Sequence, residues 1–336
     1  MLREIHEQPV ALRRTLDQTR YEAERIAERN ARNIKMVYFT GSGTSYHACI
    51  AANYVISRIT EYSSSTLPAS EFSAWTGRIK HHSGTWLIAI SQSGESQDVI
   101  NAVRSAKLSR MRVLAVTNDA HSRLAKLADF SIASQAGIEE AVTATKSFTA
   151  TLLATYEFVT ALTNRDELKT ELDRLPSLVE ETLRCCEKKC RTLASEFRNR
   201  EFMFLLGSGA NYASALEGAL KLKESCNVYA EGFATREFLH GPMQLVDKRT
   251  PVFILQHETS NESVELNDRF KRLGAPTIIV GPDTAAGGSE TIEIPDGNDI
   301  YQPLSYVIPL QLFAYYSSVS RGLNPDQPTK LKKVVV

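Results

Sequence analysis

Two hydroxyl-rich stretches and three widely separated charged positions are the parts of this sequence whose residue types can do chemistry. Ser91-Gln92-Ser93-Gly94-Glu95-Ser96 follows the apolar run Trp86-Leu87-Ile88-Ala89-Ile90 and precedes a helical pattern that starts near Gln97. A loop between a parallel strand and a helix N-terminus offers free backbone N–H groups and the positive end of the helix dipole, which suits a phosphate. The three serines and Gln92 add side-chain donors with no net charge. Thr44 and Ser45, just after Gly41-Ser42-Gly43, reach the same place from the neighbouring strand. A single serine in such a loop is ordinarily a turn or cap residue. Five hydroxyls on two adjacent loops point instead to a bound anion. Other phosphate motifs fit less well: no Gly-Lys-Ser/Thr triplet occurs in either loop. The dinucleotide pattern is half present at Gly41 and Gly43, but Tyr46 stands where a third glycine would permit close helix–strand packing.

The charged positions lie further along. Glu217, Lys221 and Glu224 share a helix face at i, i+4 and i+7. On spacing alone this describes a solvated face with pairs worth ~0.2–0.5 kcal/mol each. His240, in Phe238-Leu239-His240-Gly241-Pro242, sits at a helix end, where a histidine is ordinarily a cap or surface residue. Lys333 belongs to a terminal stretch, where disorder is the plain expectation. Singly, none of the three sites supports a role.

The elements that must position these residues come from an internal repeat. Met36-Val37-Tyr38-Phe39-Thr40-Gly41-Ser42-Gly43-Thr44-Ser45-Tyr46 is echoed by Phe202-Met203-Phe204-Leu205-Leu206-Gly207-Ser208-Gly209-Ala210-Asn211-Tyr212. The same offset carries Trp86–Ile90 onto Val252–Leu255 and brings Val113–Val116 close to Ile278–Val280. In each copy short β-branched runs alternate with helical patterns, which calls for strands buried on both faces and parallel βαβ units. Strands are expected near 35–40, 65–69, 85–90, 112–117 and 129–133, then near 202–206, 227–230, 251–255, 276–280 and 290–294. The expected fold is therefore α/β, with two tandem three-layer α/β/α sandwiches, each around a five-stranded parallel sheet. Residues 1–30 form an N-terminal helix, 31–165 the first domain, 166–199 a helical linker, 200–320 the second domain and 321–336 a tail. Only the first copy keeps an anion loop. The second has Gln256-His257-Glu258-Thr259-Ser260 there, and Glu258 would repel a phosphate.

Composition narrows the class. The 336 residues hold 39 basic and 39 acidic side chains, so no general field attracts nucleic acid or an anionic membrane. The charged start is no signal peptide, and no apolar run approaches the ~20 residues that span a bilayer; a cytoplasmic protein is expected. Cys186 and Cys190 could share a helix face, but no histidine lies nearby to complete a zinc site. No metal and no cofactor are expected.

Residues 41–46, 91–96, 142–148, 216–224, 239–242 and 326–333 resemble, in order, the motifs of the isomerase domain of glucosamine-6-phosphate synthase, a pair of SIS (sugar isomerase) domains. The resemblance covers essentially the whole chain. The most specific parts are Ala215-Leu216-Glu217-Gly218-Ala219-Leu220-Lys221-Leu222-Lys223-Glu224, Leu239-His240-Gly241-Pro242 and Asp326-Gln327-Pro328 with Leu331 and Lys333. It implies that Thr44, Ser45, Ser91, Gln92, Ser93 and Ser96 hold a hexose 6-phosphate, with Val142 and Ala144 among the substrate contacts. It implies further that Glu224 shuttles a proton between C1 and C2, and that His240 opens the ring from the partner subunit of a homodimer. Lys333 would form a Schiff base, with Lys221 as its helper, and the tail would be a lid. A nucleophilic Lys333 would need burial or cationic neighbours such as Lys330 and Lys332.

Two departures shape the expected activity. Glutamine-using synthases begin with a glutaminase domain, for which this chain, already at its SIS motifs by Gly41, has no room. The expectation is the sugar-releasing direction, glucosamine 6-phosphate and water to fructose 6-phosphate and ammonia. Ala144 stands where the synthases usually have serine, so one hydroxyl contact is missing or taken by Thr143. The alternatives are a fructosamine-6-phosphate deglycase, an ammonia-dependent synthase and a sugar-phosphate sensor without turnover. The sensor needs none of Glu224, His240 and Lys333, and no basic patch suggests a transcription regulator.

Overall fold

A computed structural model describes residues 1–77, 83–163, 165–258, 261–282 and 290–333, with the side chains of 261–263 set aside. In chain order the elements are α1 (Leu2–His6), α2 (Gln8–Asn30), β1 (Met36–Gly41), α3 (Thr44–Ile59), β2 (Ser63–Pro68), α4 (Phe72–Thr76), β3 (Thr85–Ile90), α5 (Gln97–Leu108), β4 (Arg112–Thr117), α6 (Arg123–Leu127), β5 (Phe130–Ala133), α7 (Lys146–Ala161) and α8 (Asp166–Glu196). There follow β6 (Phe202–Gly207), α9 (Asn211–Cys226), β7 (Tyr229–Ala234), two short 3-10 turns (Glu237–His240 and Pro242–Leu245), β8 (Val252–Leu255), α10 (Asn261–Arg272), β9 (Thr277–Gly281), β10 (Glu290–Glu293) and α11 (Pro303–Ser320). None of the described helices is long and apolar enough to cross a membrane.

The chain divides into two compact units. One comprises Glu7–Glu139, Ala144–Pro176 and Lys332–Val336; the other comprises Met1–His6, Glu140–Thr143 and Ser177–Leu331. Each holds one five-stranded sheet, all parallel, in the orders β2-β1-β3-β4-β5 and β7-β6-β8-β9-β10. These are the same topology, so the sequence repeat is a structural one, and helices cover both faces of each sheet.

Alternation along the strands builds the layers. In the first sheet Leu87 and Ala89 face α5, joining Val99, Val103 and Phe72 in one core. Trp86 points the opposite way, stacked on Phe130 at 5.5 Å and near Phe158 of α7 at 6.3 Å. Residues Lys146 through Thr160 of α7 are all buried, as a central helix requires. In the second sheet Phe204, Leu206 and Ile254 pack with Phe238 and Phe270, while Phe253 turns the other way onto Phe313 of α11 at 4.8 Å.

The repeated glycine has a steric cause. A Cβ on Gly41 would stand 2.8 Å from the Ser45 backbone, and one on Gly207 would stand 2.1 Å from the Asn211 carbonyl oxygen. Only glycine lets the following helix start this close to the strand end.

Two local differences from the sequence expectation have physical reasons. The N-terminal helix breaks at Glu7, because Pro9 lies in the first turn of α2 and has no N–H to continue a preceding helix. Strand β7 starts at Tyr229 and not at 227, because Asn227 closes α9 in the left-handed conformation, φ 53°. Residues 166–196 form one continuous helix with Pro176 inside it, and the division between units falls at that proline.

Candidate functional site

In a sheet ordered 2-1-3-4-5 the connections leave β1 and β3 in opposite directions, which opens a crevice at the carboxyl ends of those two strands. The loops flanking it in the first unit are 41–44 and 91–96, side by side because Thr40 pairs with Ala89. Thr44 and Ser45 form the first turn of α3, and Ser96 is the N-cap of α5. Neither helix start carries a side-chain cap bond; at α3 the Ser45 and Tyr46 N–H groups turn back onto the Ser42 and Gly43 carbonyls at 3.1 and 2.9 Å. Thr44, Ser45, Gln92, Ser93 and Ser96 are half-buried, and Ser91 is buried.

The loop's shape is set by its own bonds. Gly94 N–H donates to the Ser91 hydroxyl at 3.2 Å, and Glu95 N–H to the Ser93 hydroxyl at 3.2 Å. The Gln92 carbonyl accepts Asn118 N–H at 3.0 Å. Gly94 adopts φ +66°, and a Cβ there would meet the Ser122 hydroxyl at 2.2 Å. Ser91 and Ser93 thus do serve as turn residues, while Ser96 does not cap. The one acid in the loop is tied aside, with Glu95 accepting Arg123 N–H at 2.9 Å. Among the described residues of these two loops, what remains is a set of uncharged hydroxyls and the Gln92 amide at two helix N-termini.

The corresponding place in the second unit is filled by the chain itself. Asn211 donates to Gln302 at 2.6 Å and accepts from Ser214 at 3.1 Å, all three side chains buried. The Tyr306 hydroxyl donates to the Gln256 carbonyl at 2.8 Å. Glu258 is exposed there, and Thr259 and Ser260 lie outside the described residues. Internal amides occupy in this copy the position that hydroxyls line in the other.

On α9 the solvated-face expectation fails. Glu217 and Lys221 are both 0% exposed. Lys221 Nζ lies 3.1 Å from Glu217 and donates at 2.9 Å to Glu224, which is 22% exposed. Burial works against the Lys221 ammonium, but Glu217 and Glu224 outweigh it and push its pKa above the ordinary lysine value. Lys221 is a fixed cation. Glu224 turns its free side to a cavity of about 350 Å3, which it lines with Lys223, Asn227, Asn324, Gln327 and Lys330 among others. The spacing was readable; the burial was not, because it comes from the packing of α9 among other elements such as α11 and β7.

Lys333 is also placed, contrary to the expectation of a disordered tail. Its Nζ donates at 3.1 Å to Glu139, a carboxylate 0% exposed. Sequence reasoning missed Glu139, which also accepts Thr145 N–H at 2.8 Å, Ser147 N–H at 3.1 Å and the Ser147 hydroxyl at 2.5 Å. It stands six residues before Thr145, outside any capping-box spacing, so only an acid ahead of an apolar helix could have hinted at it. The partner found for Lys333 is an anion. Burial alone would push the Glu139 pKa up; Lys333, the Ser147 hydroxyl and the two N–H groups hold it below the ordinary carboxylate range instead.

The remaining candidates are simpler. Val142 is half-buried and donates its N–H to the Asp326 carbonyl at 2.9 Å. Ala144 brings no polar group, and the Thr143 hydroxyl donates to the Pro325 carbonyl at 3.4 Å. His240 ends a 3-10 turn and is exposed. Cys186 and Cys190 are buried on α8.

A family model described as SIS domain matches residues 32–161 and 196–321. The chain is 36% identical over 348 residues to a glutamine–fructose-6-phosphate aminotransferase (isomerizing) of Methanothermobacter thermautotrophicus; the match takes in 100% of this chain and 57% of that protein. The chain therefore spans little more than half the length of this curated relative. Among solved structures, the C-terminal domain of a glucosamine-fructose-6-phosphate aminotransferase from Francisella tularensis superposes with TM-score 0.89 at 28% identity, over 98% of each chain. A glucosamine-6-phosphate deaminase from Thermotoga maritima superposes with TM-score 0.80 at 25% identity, over 99% of this chain and 98% of that one.

Replacing Lys221 tests the buried pair. Lys221→Met leaves Glu217 charged and sealed from water, and should destabilise the protein by about 3–5 kcal/mol in urea unfolding. A loss under about 1 kcal/mol, the range of exposed pairs, would show that the two groups are not buried together.

Proposed function

The chain belongs to the SIS-domain family, and from that membership we propose that it is an amino-sugar phosphate isomerase that converts glucosamine 6-phosphate and water to fructose 6-phosphate and ammonia. The observation that carries the reading is Glu224: a carboxylate fixed by a buried ammonium on one side and facing a cavity on the other. A hydrogen beside a carbonyl or imine is acidic enough for such a base to move it. The direction rests on the likeness to the glucosamine-6-phosphate deaminase from Thermotoga maritima.

In this reading Thr44, Ser45, Ser91, Gln92, Ser93 and Ser96 hold the 6-phosphate through uncharged groups, which add no cation near the reacting end. His240 of a second copy, exposed on its own unit, moves the proton that opens the ring. Glu224 takes the proton from C2 of the open-chain aldehyde and returns it to C1, turning the C2 amine into an imine. Water then adds at C2 and ammonia leaves. Alternatively the Lys333 amine, once deprotonated, adds to C2 and expels ammonia, and water releases the ketose from the lysine imine. Lys221 stays charged throughout and keeps Glu224 in place. The aminotransferase names of the relatives favour a second reading, the same steps run backwards with ammonia.

Purified protein given glucosamine 6-phosphate should release ammonia and fructose 6-phosphate in equal amounts. Glu224→Gln should lower turnover by about 10²–10⁴-fold while substrate still binds. Turnover of a fructosamine 6-phosphate alone would replace this reading by the deglycase, and saturable binding without any turnover would replace it by a sensor.

The shared site makes a separate prediction. Glu224→Gln and His240→Ala proteins, each inactive, should regain about a quarter of wild-type activity when mixed and re-paired, since half the dimers then hold one intact site. No recovery despite exchange of subunits would remove His240 from the partner's site.

A further inference from the structure

The first turn of α7 needs hydrogen-bond partners for its free N–H groups, since nearly the whole helix is buried. A neutral Ser, Thr or Asn side chain would meet that need. The chain uses Glu139 instead, a carboxylate that costs desolvation and is held on both oxygens. Oε1 accepts Thr145 N–H and Ser147 N–H, and Oε2 accepts the Ser147 hydroxyl and Lys333 Nζ. The two partners of the ion pair differ in freedom. Glu139 is 0% exposed and locked by the helix start, whereas Lys333 is 28% exposed and ends a long flexible side chain near the chain terminus. The rigid member of such a pair locates the mobile one.

We propose that Glu139 is the positioning residue for Lys333: its buried carboxylate, fixed by the first turn of α7, docks the ε-ammonium and so sets where that nitrogen stands before it meets the sugar. No bond or proton changes hands in the docking. The inference rests on the reading of Lys333 as the amine that attacks C2. It explains why an ionised group, and not a neutral cap, occupies the start of α7.

The test compares wild type, Glu139→Gln, Glu139→Asp and Lys333→Ala. It measures kcat and KM for glucosamine 6-phosphate, borohydride trapping of fructose 6-phosphate on the Lys333 peptide, and hydrogen exchange of the tail. Glu139→Gln should lower kcat by about 10²-fold, the scale of a misplaced reacting group, with KM little changed. Trapping on Lys333 should fall in parallel, the tail amides should lose protection, and Glu139→Asp should recover part of each. Glu139→Gln that is less stable yet keeps kcat, trapping and tail protection makes Glu139 a helix cap only and overturns the proposal. If Glu139→Gln does not fold, Glu139→Asp decides alone, because it keeps the charge but withdraws it by ~1.5 Å; unchanged kcat and tail protection overturn the proposal. Full turnover of Lys333→Ala, by contrast, defeats the reading of Lys333 itself, and tail protection in Glu139→Gln then judges the docking separately.

Discussion

A lysine ammonium sealed from water must be paired, and Lys221 is paired twice, with Glu217 in the interior and with Glu224 at the edge of a cavity. That requirement fixes the carboxylate on which the proposed chemistry turns. Glu217 balances the buried charge, so Glu224 can be oriented by Lys221 and still present its other side to a ligand. Glu139 and Lys333 show the complementary arrangement, a buried carboxylate holding a more exposed ammonium. In each unit a hidden group of one sign locates an accessible group of the other. Such pairs add little net stability, but leaving one member alone is costly, which ties each accessible group to its place.

Duplication supplied two copies of one topology, and the copies use their strand-order crevices differently. In the first, hydroxyls line the opening at two helix N-termini. In the second, the Asn211 amide donates to the Gln302 side chain and the Tyr306 hydroxyl to the Gln256 carbonyl, so polar side chains there are engaged within the chain.

The fold was largely legible because parallel strands buried on both faces leave continuous apolar runs. Gly-Ser-Gly marked the first βα turn of each copy for a steric reason that Gly41 and Gly207 display. Boundaries were missed where one residue overrode the pattern, at Pro9 and at Asn227. The position of the hydroxyl-rich loop between β3 and α5 was legible from the apolar run before it and the helical pattern after it. The burial of Glu217 and Lys221 was not, because a charged helix face carries no record of what packs on it. Glu139 was invisible for a related reason: its partners Thr145, Ser147 and Lys333 meet it through folding over six to 194 residues, not through any local motif.

The central claim is that Glu224 moves a hydrogen between C2 and C1 of a hexose 6-phosphate. It is tested most directly with glucosamine 6-phosphate carrying deuterium at C2, followed by NMR. The account predicts that deuterium leaves C2 at the rate of ammonia release, to appear at C1 of fructose 6-phosphate or in water, and that Glu224→Gln stops this. Deuterium that stays on C2 while the substrate is consumed, or that leaves equally fast in Glu224→Gln, would contradict it.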